Sequence, residues 1–407
     1  MKDRIIIIGS GTAALSSIKA IREINTDSEI LVLGEENFYP YYRTKISKGL
    51  LDGLNEDKLL LKKKDWYSSN NVKIHLGHKV ISIEPDKKAI TLENGKTVIY
   101  DKLLITTGAT NNIPPINGIN KTGAFTLRNL NNAYDVLDYI NVCETILLIG
   151  GGIQNLEVAN ILSKEGKKVI IAEFAARLMP KLLDDYASNY LKEAMESQGV
   201  KILLNTQVEE IQGDEKVQGF KTKSGIEYSC DMIIYSTGIK PNVEIAYNTQ
   251  IEINKGIIVN EKMETNIKDI FAAGDVTEFN SRVYGLWNIS SEQGNVAGAN
   301  ICGEDSIFTP PIQFSSMNAF DLSLFSIGDI EESNETNLFT QIDLDKENSK
   351  YYKVLVRNDK IVGAIILGDQ KRAMIIKKLI ENKVDIKYDE SSFTSINDFI
   401  EIIKTLK

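Results

Sequence analysis

One pattern occurs twice in this chain, and it constrains the fold more than any other feature. Ile5-Ile6-Ile7-Ile8 runs into Gly9-Ser10-Gly11-Thr12-Ala13-Ala14, then a helix-patterned stretch to about Ile24, then a second apolar run from Glu29 to Leu33 that ends near Glu35. Far downstream, Ile146-Leu147-Leu148-Ile149 runs into Gly150-Gly151-Gly152-Ile153-Gln154-Asn155, a helix from about Leu156 to Glu165, and Val169-Ile170-Ile171-Ala172, ending at Glu173. Continuous apolar strands joined through a helix indicate a parallel sheet covered on both faces, with right-handed crossovers. Each copy carries a similar trailer, Tyr100 to Ala109 after the first and Tyr228 to Gly238 after the second.

The glycine turns have a chemical reading. In the first, Gly9 permits the tight bend, Gly11 lets the backbone come close to a pyrophosphate, and Ala14 takes the third small position where helix and strand pack. The helix start offers unpaired N–H groups and a positive dipole end to a diphosphate. Glu35, about twenty residues beyond, stands where a carboxylate accepts hydrogen bonds from an adenosine ribose. The second turn keeps Gly150 and Gly152 but has Asn155 in the third small position, which is expected to push the helix off the strand or demand a local adjustment. Glu173 ends the following strand, and a carboxylate there favours a free 2′-hydroxyl over a 2′-phosphate. NADH is therefore expected over NADPH, with Arg177 a cation close enough to meet a phosphate.

Composition narrows the function classes. With 407 residues, 43% hydrophobic and 25% charged, the chain reads as a globular protein of two to three domains. Forty-seven Lys and Arg against 56 Asp and Glu leave a net charge of −9, so no nucleic-acid partner is expected. Cys143, Cys230 and Cys302 are far apart and form no CxxC pair, so no metal centre or redox dithiol is expected. His75 and His78 read as surface histidines and Lys62, Lys63 and Lys64 as a solvated face. The start lacks a signal-peptide core and no stretch reaches the length of a membrane span, so a cytoplasmic location and no membrane partner are expected.

A third element completes the pattern: Thr265 to Asp275 is a short apolar strand closing on Gly274-Asp275. With the two glycine turns in this order, residues 1–307 resemble the pyridine-nucleotide–disulfide oxidoreductase superfamily of flavoproteins. The resemblance implies an α/β fold of two Rossmann-like (glutathione-reductase-type) dinucleotide-binding domains plus a small C-terminal α+β domain. It divides the chain into a discontinuous FAD-binding domain (1–110 and 239–306), an NAD(P)H-binding domain (111–238) and a C-terminal domain (307–407). FAD is implied at the first glycine turn, with Asp275 on its ribityl chain, and NADH at the second.

Members of this superfamily with sulfur chemistry carry a CxxxxC disulfide or a single cysteine beside the flavin. The corresponding stretch here, Glu35 to Lys48, has none. It resembles flavin reductases for small electron carriers, which implies Arg43 near the FAD diphosphate and Lys48 beside the isoalloxazine, where a cation stabilises the anionic reduced ring. The aromatic run Phe38, Tyr39, Tyr41 and Tyr42 is expected to pack around the cofactor. Glu157 matches the acid that reaches toward the nicotinamide amide, so Lys48 and Glu157 are the catalytic candidates. Thr107, Gly108, Gly238 and Gly274 complete the cofactor-binding set. Trp287 resembles the tryptophan lying between flavin and protein partner in oxygenase-type ferredoxin reductases. Gln293, Gly294, Ala297 and Gly298 are expected at a helix start whose N–H groups approach the flavin pyrimidine edge.

Phe320 to Ile330 and Ile361 to Asp369 resemble the C-terminal domain of NADH:rubredoxin oxidoreductases and of the flavoprotein portion of assimilatory nitrite reductases. The expectation is an FAD-dependent enzyme that takes hydride from NADH and passes single electrons to rubredoxin or a ferredoxin, as monomer or homodimer. Two alternatives stand beside it: an NADH oxidase or peroxidase, and an NADH-sensing scaffold resembling apoptosis-inducing factor.

Overall fold

A computed structural model describes residues 3–51, 53–331, 338–345 and 350–386. The chain divides into two compact units, Met1–Asn112 with Arg128–Leu130 and Gly238–Pro310, and Ile113–Leu127 with Asn131–Thr237 and Pro311–Lys407.

The first unit is built on five parallel strands, in the order Ile270–Ala272, Lys102–Ile105, β1 (Arg4–Ile8), β2 (Glu29–Leu33), Val72–His75. Ile5 to Ile8 are all buried because β1 is the central strand and both its faces are covered. The register pairs Ile8 with Leu33 and with Ile105, so the three chains leave the sheet at one level, its carboxyl edge. Ligands of open parallel sheets bind at that edge. Helix α1 (Thr12–Ile24) returns from β1 to β2 with Ala14, Ile18 and Ile21 fully buried.

A second helix, Trp287–Ile301, packs against α1. The helix begins at Trp287 and not at Gln293 as expected, and its small residues serve close helix packing. A Cβ on Gly294 would lie 2.3 Å from the Ala13 carbonyl oxygen, and one on Gly298 2.5 Å from that of Ser17. The Ser16 and Ser291 hydroxyls share a 2.8 Å hydrogen bond across the same seam.

The second unit repeats the first. Its parallel sheet runs Lys201–Leu203, β4 (Lys168–Ala172), β3 (Thr145–Ile149), Met232–Tyr235, Ala124–Thr126, with α2 (Ile153–Lys164) between β3 and β4 and α3 (Asp185–Ser197) after β4. This unit also holds an antiparallel sheet in the order Phe314–Ala319, Leu322–Gly328, Lys360–Leu367, Lys350–Arg357, Leu338–Asp345. Helix Gln370–Glu381 covers that sheet through Ala373, Ile376 and Ile380, one face at helical spacing. The fold class is the α/β architecture with an α+β tail that the two glycine-turn segments and the C-terminal stretches pointed to.

Two candidate nucleotide-binding sites

In the first unit Gly9 has φ 106°, and a Cβ there would lie 2.2 Å from the Thr106 carbonyl oxygen. No other residue fits both constraints. Gly11 caps α1 with no side-chain hydrogen bond, there is no acid in the first turn, and the space a Gly11 Cβ would enter is open to 4 Å. The first N–H groups of α1 therefore lack a side-chain cap, a cradle that fits a diphosphate.

Glu35 is exposed at the end of β2 and pairs with Lys79 at 2.7 Å. Its neighbour Glu36, which sequence reasoning passed over, is more engaged. One Glu36 oxygen accepts from Tyr41 Oη at 2.7 Å and the other pairs with Arg43. Arg43 also donates to Tyr41 Oη at 2.9 Å and to the Arg128 carbonyl at 3.4 Å. Burial pulls the Arg43 guanidinium down from its ordinary value, but Tyr41 and Glu36 outweigh it and hold the group above that value. Burial pushes the Tyr41 phenol upward. Arg43 is thus a fixed, permanent cation.

Asp275 accepts from Arg128 Nη2 at 2.6 Å and from Ser290 Oγ at 2.8 Å. Gln293 is buried; its Oε1 accepts from Gly274 N at 2.8 Å and from Thr277 Oγ1 at 3.0 Å, and its Nε2 has no partner. Gln293 therefore locks the Gly274-Asp275 turn and keeps a buried donor in reserve. Thr107 Oγ1 donates to the Asn242 carbonyl at 2.7 Å, Asn242 Nδ2 returns a bond to Thr107 O at 2.9 Å, and Asn242 N donates to Gly108 O at 2.9 Å. Gly238 lies in this unit and accepts from Asn112 N.

Lys48 is exposed, just past the 3-10 turn Arg43–Lys45. Trp287 is not a core residue: it is 40% exposed and stacks on Tyr42, with ring centroids 6.2 Å apart and planes at 24°. Lys45 Nζ lies 4.4 Å from the Tyr42 ring centre.

In the second unit Gly150 repeats the strain of Gly9, with φ 102° and a would-be Cβ 2.5 Å from the Ser236 carbonyl oxygen. Gly152 caps α2 without a side-chain bond. Asn155 resolves its departure from the small-residue pattern by local adjustment: fully buried, it donates from Nδ2 to the carbonyls of Ile149 and Gly150, both at 2.9 Å. Its side chain ties the turn instead of spacing the helix away. Glu173 accepts from Gly151 N at 2.5 Å and from Ala175 N at 2.7 Å. Arg177 donates to the carbonyls of Leu183 and Pro180 and to Asp185, which commits its guanidinium within the loop. Glu157 is buried in α2.

Arg128 carried no signal in the sequence, since it lies outside every motif and reaches Asp275 only through the fold. Glu36 had a weak one, the doubled acid at the end of β2. Among the described residues no group of three or more His, Cys, Asp or Glu is placed to hold a metal ion, and no helix is long and apolar enough to cross a membrane.

Two glycine turns at the carboxyl edges of two parallel sheets, each with an acid at the end of the next strand, define a two-nucleotide α/β protein. Residues 3–294 match the family described as Pyridine nucleotide-disulphide oxidoreductase, and residues 314–384 match the Rubredoxin NAD+ reductase C-terminal domain. The chain belongs to the pyridine nucleotide-disulphide oxidoreductase family. It is 32% identical over 406 residues to the NADH-rubredoxin oxidoreductase of Clostridium acetobutylicum, covering 99% of each chain. The crystal structure of NADH:rubredoxin oxidoreductase from that organism superposes with a TM-score of 0.79 at 29% identity, covering 98% of this chain and 100% of the other. A nitrite reductase [NAD(P)H] of Bacillus subtilis is 30% identical over 97% of this chain, which spans only 49% of that relative.

Proposed function

We propose that this protein passes a hydride from NADH to FAD and then single electrons to a small iron–sulfur protein of the rubredoxin type, with a ferredoxin the other candidate. The observation that carries this reading is the pair of glycine turns whose helix starts lack side-chain caps, together with a cysteine-free stretch from Glu35 to Lys48. Bound FAD would supply the conversion between a two-electron donor and a one-electron acceptor.

In this reading the domain of residues 1–110 and 239–306 holds FAD, residues 111–238 hold NADH, and residues 307–407 form the C-terminal domain. Gly9, Gly11, Ala14, Glu35, Arg43, Thr107, Gly108, Gly274, Asp275 and Gln293 would hold FAD, and Gly238, the last residue of the NADH segment, completes the cofactor-binding set. Arg43 suits a diphosphate because neither burial nor pH removes its charge. The Asp275 carboxylate, oriented by Arg128 and Ser290, suits hydroxyl groups that donate to it. Gly150, Gly152, Glu157 and Glu173 would hold NADH. Glu173 presents a carboxylate where a 2′-phosphate would be repelled, and Arg177 is already committed to Leu183, Pro180 and Asp185. Lys48 would steady negative charge on the reduced ring, and Glu157 would accept from the nicotinamide carboxamide. Trp287 and Tyr42 offer an exposed aromatic face for the acceptor.

Anaerobic stopped-flow mixing of the yellow holoprotein with NADH, followed by rubredoxin, tests the reading. Fast bleaching of the flavin and fast reduction of the carrier are expected. Oxygen uptake that outruns carrier reduction would replace it with an oxidase, and slow turnover with a change of oligomeric state would replace it with a sensing scaffold.

A further inference from the structure

The loop between β4 and α3 is fastened at both ends. At its start, Glu173 holds Gly151 N and Ala175 N on its two oxygens. Further on, Met179 N donates back to Gly151 O at 3.3 Å. Met179 is buried and has φ 48°, a conformation a non-glycine residue keeps only where its surroundings hold it. Arg177 braces the loop from inside through Leu183, Pro180 and Asp185.

The far end is tied to the C-terminal sheet. Asp184 caps α3 by accepting from Ala187 N on Oδ1 at 2.9 Å. Its Oδ2 accepts from Tyr351 Oη at 2.6 Å and lies 3.3 Å from Lys353 Nζ. Tyr351 and Lys353 are 2% and 5% exposed, both on the strand Lys350–Arg357. Tyr186 adds a stacked ring on Tyr351, with centroids 4.7 Å apart. A buried ammonium and a buried phenol thus converge on one oxygen of the loop, where charge-assisted hydrogen bonds are strong and directional.

We infer that Tyr351 and Lys353 are positioning residues for the second nucleotide site, acting through Asp184 to hold the Glu173–Asp185 loop so that Glu173 meets the adenosine ribose. This rests on the reading that NADH binds at the second glycine turn. It gives the C-terminal sheet a task in coenzyme binding in addition to any part in meeting the acceptor.

The test uses the full-length holoprotein with Tyr351→Phe, Lys353→Met and the double variant. The probes are NADH and reduced nicotinamide mononucleotide, which lacks the adenosine. The double variant is expected to raise the KM for NADH about fivefold to tenfold, with kcat at saturation within about twofold and FAD content unchanged. The kcat/KM for the mononucleotide should stay the same, and Lys353→Arg should restore the KM for NADH. An unchanged KM for NADH, even with a lowered melting temperature, overturns the inference, as do equal losses for both probes. If the double variant does not fold, Tyr351→Phe removes one hydroxyl and should raise the KM for NADH about threefold, with the same reading of its failure. Glu173→Gln is measured alongside. No change there removes the ribose site and this inference with it; a raised KM there beside an unchanged double variant removes this inference alone.

Discussion

Arg128 Nη2 donates to Asp275 Oδ2 at 2.6 Å, while Arg128 Nε reaches the Ala109 carbonyl at 3.1 Å. One guanidinium therefore joins the start of the strand Ala109–Asn111 to the Gly274-Asp275 turn. The Asp275 side chain is only 14% exposed, and Ser290 holds its second oxygen, so the carboxylate has one orientation available.

Arg128→Ala should weaken FAD retention, because it leaves a largely buried carboxylate short of its cation and frees the turn that carries it. The pair lies between the surface and fully buried extremes, so a loss of about 1–3 kcal/mol is expected in FAD affinity. The ratio of flavin to protein absorbance after dialysis checks it. Full flavin content in this variant would remove Arg128 and Asp275 from the FAD site.

Glu173→Ala should raise the KM for NADH about tenfold and change that for NADPH less than twofold. The carboxylate orders the turn through Gly151 N and Ala175 N, and in the proposed site it would repel a 2′-phosphate. For NADPH its removal costs order but relieves repulsion, and the two effects oppose. Steady-state kinetics with both coenzymes decide the matter, and equal losses would refute the specificity argument.

The parts of this molecule that were legible in the sequence are those governed by local periodicity. Ile5 to Ile8 and Ile146 to Ile149 read as buried strands because each run is short, rich in isoleucine and bounded by glycines, which themselves read as turns. Contacts such as Arg128 with Asp275 depend on how distant segments meet, and no spacing along the chain encodes them. Gln293 shows the same limit in a subtler form. Its small neighbours Gly294 and Gly298 look like a helix opening, yet they serve close approach to Ala13 and Ser17 in the middle of a helix. Asn155 departs from the small-residue pattern, and only its hydrogen bonds to Ile149 and Gly150 explain how the turn survives.

Lys48→Ala should slow flavin reduction by NADH about tenfold or more while FAD stays bound, since a cation near a developing negative charge acts mainly on the barrier. Lys48 is exposed and lies past the Arg43–Lys45 turn, so the fold should tolerate the change. Stopped-flow bleaching at saturating NADH measures it, and an unchanged rate would take Lys48 out of the catalytic set.

Acid should destabilise the first unit partly through Glu278. Burial alone would raise its carboxyl, but hydrogen bonds from Asn254 Nδ2, Lys255 N and Gly256 N prevail and hold it below the ordinary value. A carboxyl depressed in the folded state contributes stability above its unfolded pKa and loses that contribution as pH falls through the folded one. The loss therefore lies below about pH 4.3. Glu278→Gln should be less stable at pH 7 by about 1–2 kcal/mol, because its amide group turns a donor toward N–H groups. Its melting temperature should also fall less steeply than the wild type's on acidification. Parallel slopes would show that Glu278 plays no part.

Asn155 allows a sharper test of the second glycine turn, because its amide does two opposed things. Nδ2 makes two buried hydrogen bonds to backbone carbonyls, and Oδ1 is buried with no partner. Asn155→Ala removes both, so the loss of two bonds is offset in part by removal of an unsatisfied acceptor, and a net cost of about 1–2 kcal/mol is expected. Asn155→Asp keeps the shape but, when ionised, has no donor, so it turns a buried negative charge toward the Ile149 and Gly150 carbonyls. That change should cost more than the alanine, about 3 kcal/mol or above, and should raise the KM for NADH further if the glycine turn it disturbs holds the diphosphate, as proposed. Thermal melting and NADH kinetics on the two variants give the order directly. If the aspartate variant proves the more stable of the two, the side-chain tie is not what holds the turn, and the departure from a small residue at this position has another cause.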